Sequence, residues 1–529
     1  MGPTISRRQL LAGVAGAAGL ASTAAWNGRT FRPQPAKVDP DLVSGVDAGG
    51  DQAELTTTLR SRRVTIDLGG PQVHTWGYAE DLPGPLIRVR AGDLVRVDLI
   101  NELPVDTSVH WHGIALRNDM DGVPGLTQPP IGVDSRYTYE FTVPDPGTYF
   151  YHPHSGLQLD RGLYGVLVVD DPHETGRYDH EWIVVLDDWI DGTGRTPEEV
   201  LAALRETGGH GDMPGVDHGA THGEGDGGAP EPDHGGTPGM GGHGGMDASG
   251  PGGQGDMGGM EMMTSPLLGS AGDVSYPHHL VNGRIPAAPR AFRARPGQRA
   301  RIRLINAGSD TAYRVALAGH RLTVTHTDGF PVQRVDTDAL LLGMGERVDV
   351  EVGLGDGVFP LVADAEGKTG QGLALVRTGA GGTPPATVRP AELDRRVLDT
   401  ATLRAADRVA LTDRRPDRVH QLQLDGSMAP YRWTINGGTF DEAEPLPIEH
   451  GERVRLEFVN RSDMFHPMHL HGHTFAVAGG GARKDTVIVV PDRTVTVDFD
   501  ADNPGRWMAH CHNAYHAESG MMATLAYPA

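Results

Sequence analysis

A pattern that occurs three times constrains this chain more than any other feature. The run Ile87–Asn101 alternates apolar and polar residues on either side of Ala91-Gly92-Asp93, as two strands joined by a tight turn do. The pattern recurs from Phe292 to Asn306 and from Pro447 to Asn460. In each copy a glycine (Gly92, Gly297, Gly451) is followed four residues later by arginine (Arg96, Arg301, Arg455). Asparagine follows nine residues after the glycine (Asn101, Asn306, Asn460). Three copies spread over 529 residues predict three homologous β-domains rather than one core. Helix-forming runs are scarce while Gly (74) and Pro (39) are plentiful, which favours all-β architecture with many turns.

Histidines fall at fixed offsets from these markers. His110 and His112 lie nine and eleven residues after Asn101, and His469 and His471 lie nine and eleven after Asn460. His152 and His154 lie five and seven residues after Gly147, and His510 and His512 lie five and seven after Gly505. In the middle copy the equivalent positions are Val315, Leu317, Val362 and Asp364. Alternation along a strand puts both residues of a His-x-His pair on one face. The outer domains therefore supply eight imidazoles, and the middle domain supplies scaffold without ligands.

Cys511 is the sole cysteine, set between His510 and His512, with His516 and Met521 following. Two histidines, one thiolate and a weak axial methionine are the donor set of a blue-copper site. His466 lies six residues after Asn460, where the first domain has Thr107, and Cys511 occupies the position of Pro153. The third domain thus holds one complete copper site, and the first and third each hold half of another. One cysteine permits no disulfide within the chain, so metal ligation would protect the thiol in an oxidising compartment.

The expected organisation follows. Residues 1–25, with Ser6-Arg7-Arg8-Gln9-Leu10-Leu11 ahead of an apolar Ala/Gly-rich run, resemble a twin-arginine export signal. Residues 26–60 are a polar leader. The first domain covers 61–172, the second 173–390 and the third 391–529. Residues 208–263 interrupt the second domain with a Gly-rich stretch containing five His and seven Met. Its composition predicts a surface insert, read either as inconsequential or as a weak multi-site collector of copper ions. A net charge of −23 argues against nucleic acid or an anionic membrane surface as partner. Export predicts a periplasmic, cell-envelope or extracellular protein with no membrane span once the signal is removed.

Four motifs carry a family resemblance: His110-Trp111-His112-Gly113, His152-Pro153-His154-Ser155-Gly156, His466-Pro467-Met468-His469-Leu470-His471-Gly472, and His510-Cys511-His512-Asn513-Ala514-Tyr515-His516. In this order they resemble the copper motifs of the multicopper oxidases, in particular exported three-domain laccase-like and cuprous oxidases of actinobacterial and mycobacterial type. The resemblance implies an all-β chain of three cupredoxin-like Greek-key barrel or sandwich domains and four coppers. Type 1 copper would take His466, Cys511, His516 and axial Met521. Type 2 would take His110 and His469. The type 3 pair would take His112, His152, His154, His471, His510 and His512. Typical copper-tolerance members carry a Met-rich insertion in the third domain; here it lies in the second.

The implied activity couples one-electron oxidation of a reducing substrate to four-electron reduction of O2 to water. An axial thioether points to a moderate potential, hence to Cu(I), Fe(II), phenols or aromatic amines. Electrons are expected to arrive through an exposed edge of His466 or His516 and to leave Cys511 along the backbone to His510 and His512. Asp121 matches the family's acid beside the trinuclear cluster and reads as a proton relay or as a turn residue. A second relay falls to Glu518, because the position directly after His516 is Ala517. Asp463 and Met464 could hold substrate Cu(I), or form an ordinary loop. His278, His279, His320 and His326 are expected to be packed or hydrogen-bonded, Met428 and Met468 to pack, and His473 to have no evident partner. All ligands lie within one chain, so a monomer suffices. The competing reading is a non-enzymatic copper-sequestering protein.

Overall fold

In the computed structural model, residues 55–174, 176, 178–207 and 264–528 are described. The expected export signal, most of the expected leader and the 208–263 insert lie outside them. Three β-sandwiches follow one another along the chain. The first stacks two four-stranded sheets, the second two six-stranded sheets, and the third a six- and a five-stranded sheet. Each sandwich encloses its own apolar core, with Val95, Val97, Leu99 and Phe141 in the first, Ile302, Leu304, Val348 and Val350 in the second, and Val454, Leu456, Phe458 and Phe499 in the third. Burying each such side chain is worth about 1.5–3 kcal/mol.

The repeated residues do the same work in all three domains. Gly92, Gly297 and Gly451 have φ of +93°, +80° and +85°, the left-handed turn that joins the two strands. Arg96, Arg301 and Arg455 pair across the sheet with Glu140, Asp349 and Asp498. Asn101, Asn306 and Asn460 are buried where the second strand ends. Each accepts on Oδ1 the backbone N–H two residues on and donates from Nδ2 to carbonyls of the crossing chain, such as Ile131, Leu342 and Val489. A buried amide that satisfies several backbone groups has no equivalent substitute, which explains its recurrence.

Two boundaries differ from the sequence reading. The strand Leu55–Asp67 begins inside the expected leader, because it pairs in parallel with Leu94–Asn101. Val397–Asp399 adds an edge strand to the second domain, beside Ala339–Leu342, so the third domain's own sheet starts at Arg418–Met428. Two α-helices interrupt the β architecture among the described residues. Pro197–Thr207 leads toward the insert, and Val200 and Leu201 pack into the third domain's core. Ala514–Glu518 is capped by Asn513, whose Oδ1 accepts the N–H groups of Tyr515 and His516. No helix among the described residues is long and apolar enough to cross a membrane.

Candidate metal centre

The cysteine site lies inside the third domain. His466 opens the strand His466–Leu470, Cys511 ends the strand Arg506–Cys511, and His516 lies in the capped helix. Their donor atoms form a small triangle. Each Nδ1 lies 3.6 Å from Cys511 Sγ, and the two Nδ1 atoms are 3.1 Å apart. Three donors at this spacing can share one metal ion. Met521 is fully buried in the same core, and its carbonyl accepts the Cys511 N–H. Burial pushes the Cys511 thiol up and holds the His466 imidazole well below its ordinary value, so His466 is neutral.

The remaining ring nitrogens of this site are anchored. His466 Nε2 pairs with Ser462 Oγ at 2.7 Å, and His516 Nε2 donates to Asp273 Oδ2 at 2.9 Å. Trp433 lies over His516 with ring centroids 4.0 Å apart. The expected exposed imidazole edge is therefore absent: His466 and His516 are both 0% exposed. Ser462, Trp433 and Asp273 cover them, and Tyr431, 5% exposed, donates to the same Asp273 oxygen at 2.6 Å.

The other eight histidines meet between the first and third domains. His110 and His112 stand on the short strand paired with Gly147–His152, which carries His152. His469 pairs with His510 across the equivalent strands of the third domain. Asn118 and Asn503 tie the two domains together, donating to the carbonyls of Arg506 and Leu116. Imidazoles from opposite domains stack, His112 on His469 at 3.8 Å and His110 on His471 at 3.9 Å.

Three sets of three imidazoles converge closely enough to hold an ion: His110, His112 and His469; His112, His152 and His512; His154, His471 and His510. In the last set His510 Nε2 lies 3.1 Å from His471 Nε2 and 3.5 Å from His154 Nε2. Anchored nitrogens face outward. His110, His152, His469 and His510 donate from Nδ1 to the carbonyls of Asp121, Pro153, Asp485 and Cys511 at 2.8–2.9 Å. His112 donates from Nε2 to Asp485 Oδ1 at 3.1 Å. The opposite nitrogens, His110 Nε2, His112 Nδ1, His152 Nε2 and His469 Nε2, are buried without a partner. Unpartnered buried nitrogens cost free energy, and metal ligands characteristically anchor the second ring nitrogen in this way. Burial holds His112, His152, His471, His510 and His512 well below the usual imidazole value and His154 at about 3, so the rings are neutral, as ligands must be. The donor chemistry fits metal throughout.

Asp121 and Glu518 both reach this site. Asp121 Oδ2 accepts from His471 Nδ1 at 3.0 Å, and Oδ1 lies 3.3 Å from His110 Nδ1. Glu518 lines a cavity of about 40 Å³ with His154, His510 and His512, room enough for a small molecule such as water. Desolvation pushes Glu518 up to about 7. Ala514 and Ala517 line the same cavity without a titratable group.

Asp463 and Met464 diverge. Asp463 is exposed, whereas Met464 is buried in the core that contains Cys511. His279 bonds Tyr313, His320 bonds the carbonyl of Ala318 and His326 bonds Thr325. Met468 is fully buried, and Met428 packs against the same core. His473, expected to lack a partner, pairs through Nε2 with Tyr527 Oη at 2.8 Å, because the chain's last strand brings that phenol alongside.

Sequence reasoning missed residues that act on the sites from other elements, among them Asp273, Asp485 and Arg347. Burial raises the Asp485 carboxyl, but Arg347 and the His112 hydrogen bond outweigh it and hold the group well below the carboxylate range. Each acts across a domain boundary or a long loop, and no local motif marks it.

Sequence profiles of the multicopper oxidases match residues 60–174, 181–380 and 413–529. The chain is 46% identical over 501 residues to the multicopper oxidase MmcO of Mycobacterium tuberculosis, covering 92% of this chain and 91% of that protein. It is 29% identical over 613 residues to a copper resistance protein A homolog of Pseudomonas syringae pv. tomato, covering 98% of each. Among solved structures, Fet3p, a multicopper oxidase that functions in iron import, superposes with a TM-score of 0.69 at 21% identity, over 89% of this chain and 90% of that one.

Proposed function

Because the chain belongs to the multicopper oxidase family, a family of copper oxidoreductases that use O2, we propose a specific division of labour among its residues. Four coppers bind per chain. Type 1 copper would be held by His466, Cys511, His516 and Met521; type 2 by His110 and His469; the type 3 pair by His112, His152 and His512 together with His154, His471 and His510. The observation that supports this assignment is the gathering of the ligand atoms into three-donor sets, His112 being common to two, with the second ring nitrogen of His110, His112, His152, His469 and His510 anchored.

When bound, copper supplies the one-electron chemistry that joins oxidation of a reductant at the cysteine site to reduction of O2 to water at the cluster. The chain's residues set the conditions for it. Cys511 is joined through the backbone to His510 and His512, one in each type 3 set, so a single short segment links the two sites. Buried neutral imidazoles bring no counter-charge of their own to the metal they would hold, which would favour oxygen anions there. Asp121 orients His471 and His110 and can hold a proton beside them. Glu518 presents a protonatable carboxyl to the cavity shared with His154, His510 and His512. Reductant electrons enter through the cover of Trp433, Tyr431 and Asp273 rather than by direct contact with an imidazole.

The substrate class we infer is Cu(I), with Fe(II) and electron-rich phenols or aromatic amines as further donors, and the role is copper tolerance in the periplasm, envelope or outside the cell. The likeness to copper resistance protein A and the His/Met-rich composition of 208–263 support Cu(I). Asp463, exposed near the type 1 site in sequence, is kept as a candidate Cu(I) contact; Met464, being buried, would have to act from within the core. The test is steady-state O2 consumption by the copper-loaded protein with Cu(I), Fe(II) and a substituted phenol. Preference for Cu(I) supports the reading; a fully loaded protein that consumes no O2 with any of them defeats it.

A further inference from the structure

The domain that carries no ligand forms part of the cluster's wall. Its loop Gly343–Arg347 runs against imidazoles of both other domains. Gly345 has a φ of +83°, and a Cβ there would lie 2.9 Å from His512 Cδ2 and 3.0 Å from His112 Cε1, so only glycine lets this backbone approach. Two residues on, Arg347 is 0% exposed and grips Asp485 with both guanidinium arms, Nη1 to Oδ1 and Nη2 to Oδ2, each at 2.6 Å. Nε donates to the carbonyl of Thr148 in the first domain at 3.1 Å.

Asp485 in turn touches one ligand from each half of the cluster. Its Oδ1 accepts from His112 Nε2 at 3.1 Å, and its backbone carbonyl accepts from His469 Nδ1 at 2.9 Å. Both contacts leave the opposite nitrogens, His112 Nδ1 and His469 Nε2, buried, unpartnered and convergent with His110. Further charges surround the pair. Asp328 accepts the Arg347 and Asp485 backbone N–H groups, and Lys484 lies between Asp328 and Glu346 at 3.0 and 3.1 Å, all fully buried.

Burying this many charges gains little net stability, since desolvation offsets most of the Coulomb attraction. A bidentate arginine fork does, however, fix a carboxylate's orientation closely. We propose that Arg347 is a positioning residue of the trinuclear site: by fixing the Asp485 carboxylate it selects the ring nitrogen that His112 presents to copper. The second domain thus acts on the cluster through one guanidinium. This inference rests on the ligand assignment proposed above.

The experiment titrates copper into the full-length protein and its Arg347→Met, Arg347→Lys and Asp485→Asn variants, measuring copper stoichiometry, blue absorption and the EPR-visible copper count. The native protein taking up its full copper complement upholds the ligand assignment; failure there defeats that assignment and not the role of Arg347 alone. Arg347→Met and Asp485→Asn are expected to keep the blue band and bind cluster copper about 10–100-fold more weakly. Arg347→Lys, a charge without the fork, should recover only part of the loss. Arg453→Met, which breaks a half-buried pair with Asp500 elsewhere in the third domain, controls for general destabilisation. The proposal is overturned if Arg347→Met and Asp485→Asn load cluster copper like the native protein. It is equally overturned if they lose blue and cluster copper together, or if Arg453→Met shows the same selective loss.

Discussion

Asp273 Oδ2 lies 2.9 Å from His516 Nε2 and simultaneously accepts the Tyr431 hydroxyl at 2.6 Å. The carboxylate comes from the segment that returns from the His/Met-rich insert, so the second domain seals the imidazole that the sequence reading left at the surface. Asp273→Asn should retain blue colour but slow reduction of the type 1 copper about tenfold or more, because the anchor of a ligand is weakened. Stopped-flow bleaching of the blue band by a phenol and by Cu(I) would measure this. Unaltered rates with both would show that Asp273 only fills space.

Cys511→Ser should abolish blue colour and turnover while the eight cluster imidazoles still take up copper. Their anchors, Asp121, Asp485, Pro153 and the Cys511 carbonyl, do not involve the thiol. Copper analysis decides the matter: complete loss of copper would contradict the separation into two sites.

Glu518→Gln should lower O2 turnover by about 100-fold, the range of a lost general acid, and leave anaerobic reduction of the blue copper untouched. Ala514 and Ala517 cannot compensate from their places in the same cavity. Equal slowing of both half-reactions would assign Glu518 a structural role instead.

Removing residues 208–263 should impair Cu(I) oxidation at low copper concentration and spare phenol oxidation. That contrast separates an ion collector from a spacer. If both activities are unchanged at every copper concentration, the collector reading falls.

Asp349→Ala should destabilise the second domain by about 3–5 kcal/mol at neutral pH, as expected when a buried pair loses one partner, and weaken its contact with the first. Burial alone would raise the Asp349 carboxyl, but Arg301 and Arg303 outweigh it and hold it far below the usual range. Thr148 of the first domain donates to the same group. A carboxylate with a depressed folded value stabilises above its unfolded value, about 3.9, and loses that contribution as pH falls further. The gap in unfolding midpoint between native and variant should therefore narrow below about pH 4.

What the sequence made legible was local. The Gly–Arg–Asn spacing identified three homologous sandwiches because the turn, the cross-strand pair and the buried amide lie within one hairpin. The His-x-His offsets picked out the eight imidazoles that meet between the first and third domains because a strand's period of two is encoded residue by residue. Asp485 and Arg347 were illegible because their contact spans 138 positions, and Asp273 reaches His516 across 243. Nothing in Lys484-Asp485-Thr486 or Gly272-Asp273-Val274 marks a partner that distant. The buried state of His466 and His516 was hidden for the same reason: Trp433 and Tyr431 cover them from a separate strand. The leader's end was misplaced because the strand Leu55–Asp67 takes its pairing from a neighbour rather than from its own alternation.

The stacking of His112 on His469 and of His110 on His471 sets an order of events in biosynthesis. The cluster's first ligand stands at position 110 and its last at 512, with half on each side of a domain interface. A nascent chain that has not reached His469 holds no complete three-imidazole set among these residues, whatever the metal supply. Full loading of these imidazoles must therefore follow synthesis of the third domain and its docking on the first, which makes their metal content a record of completed assembly.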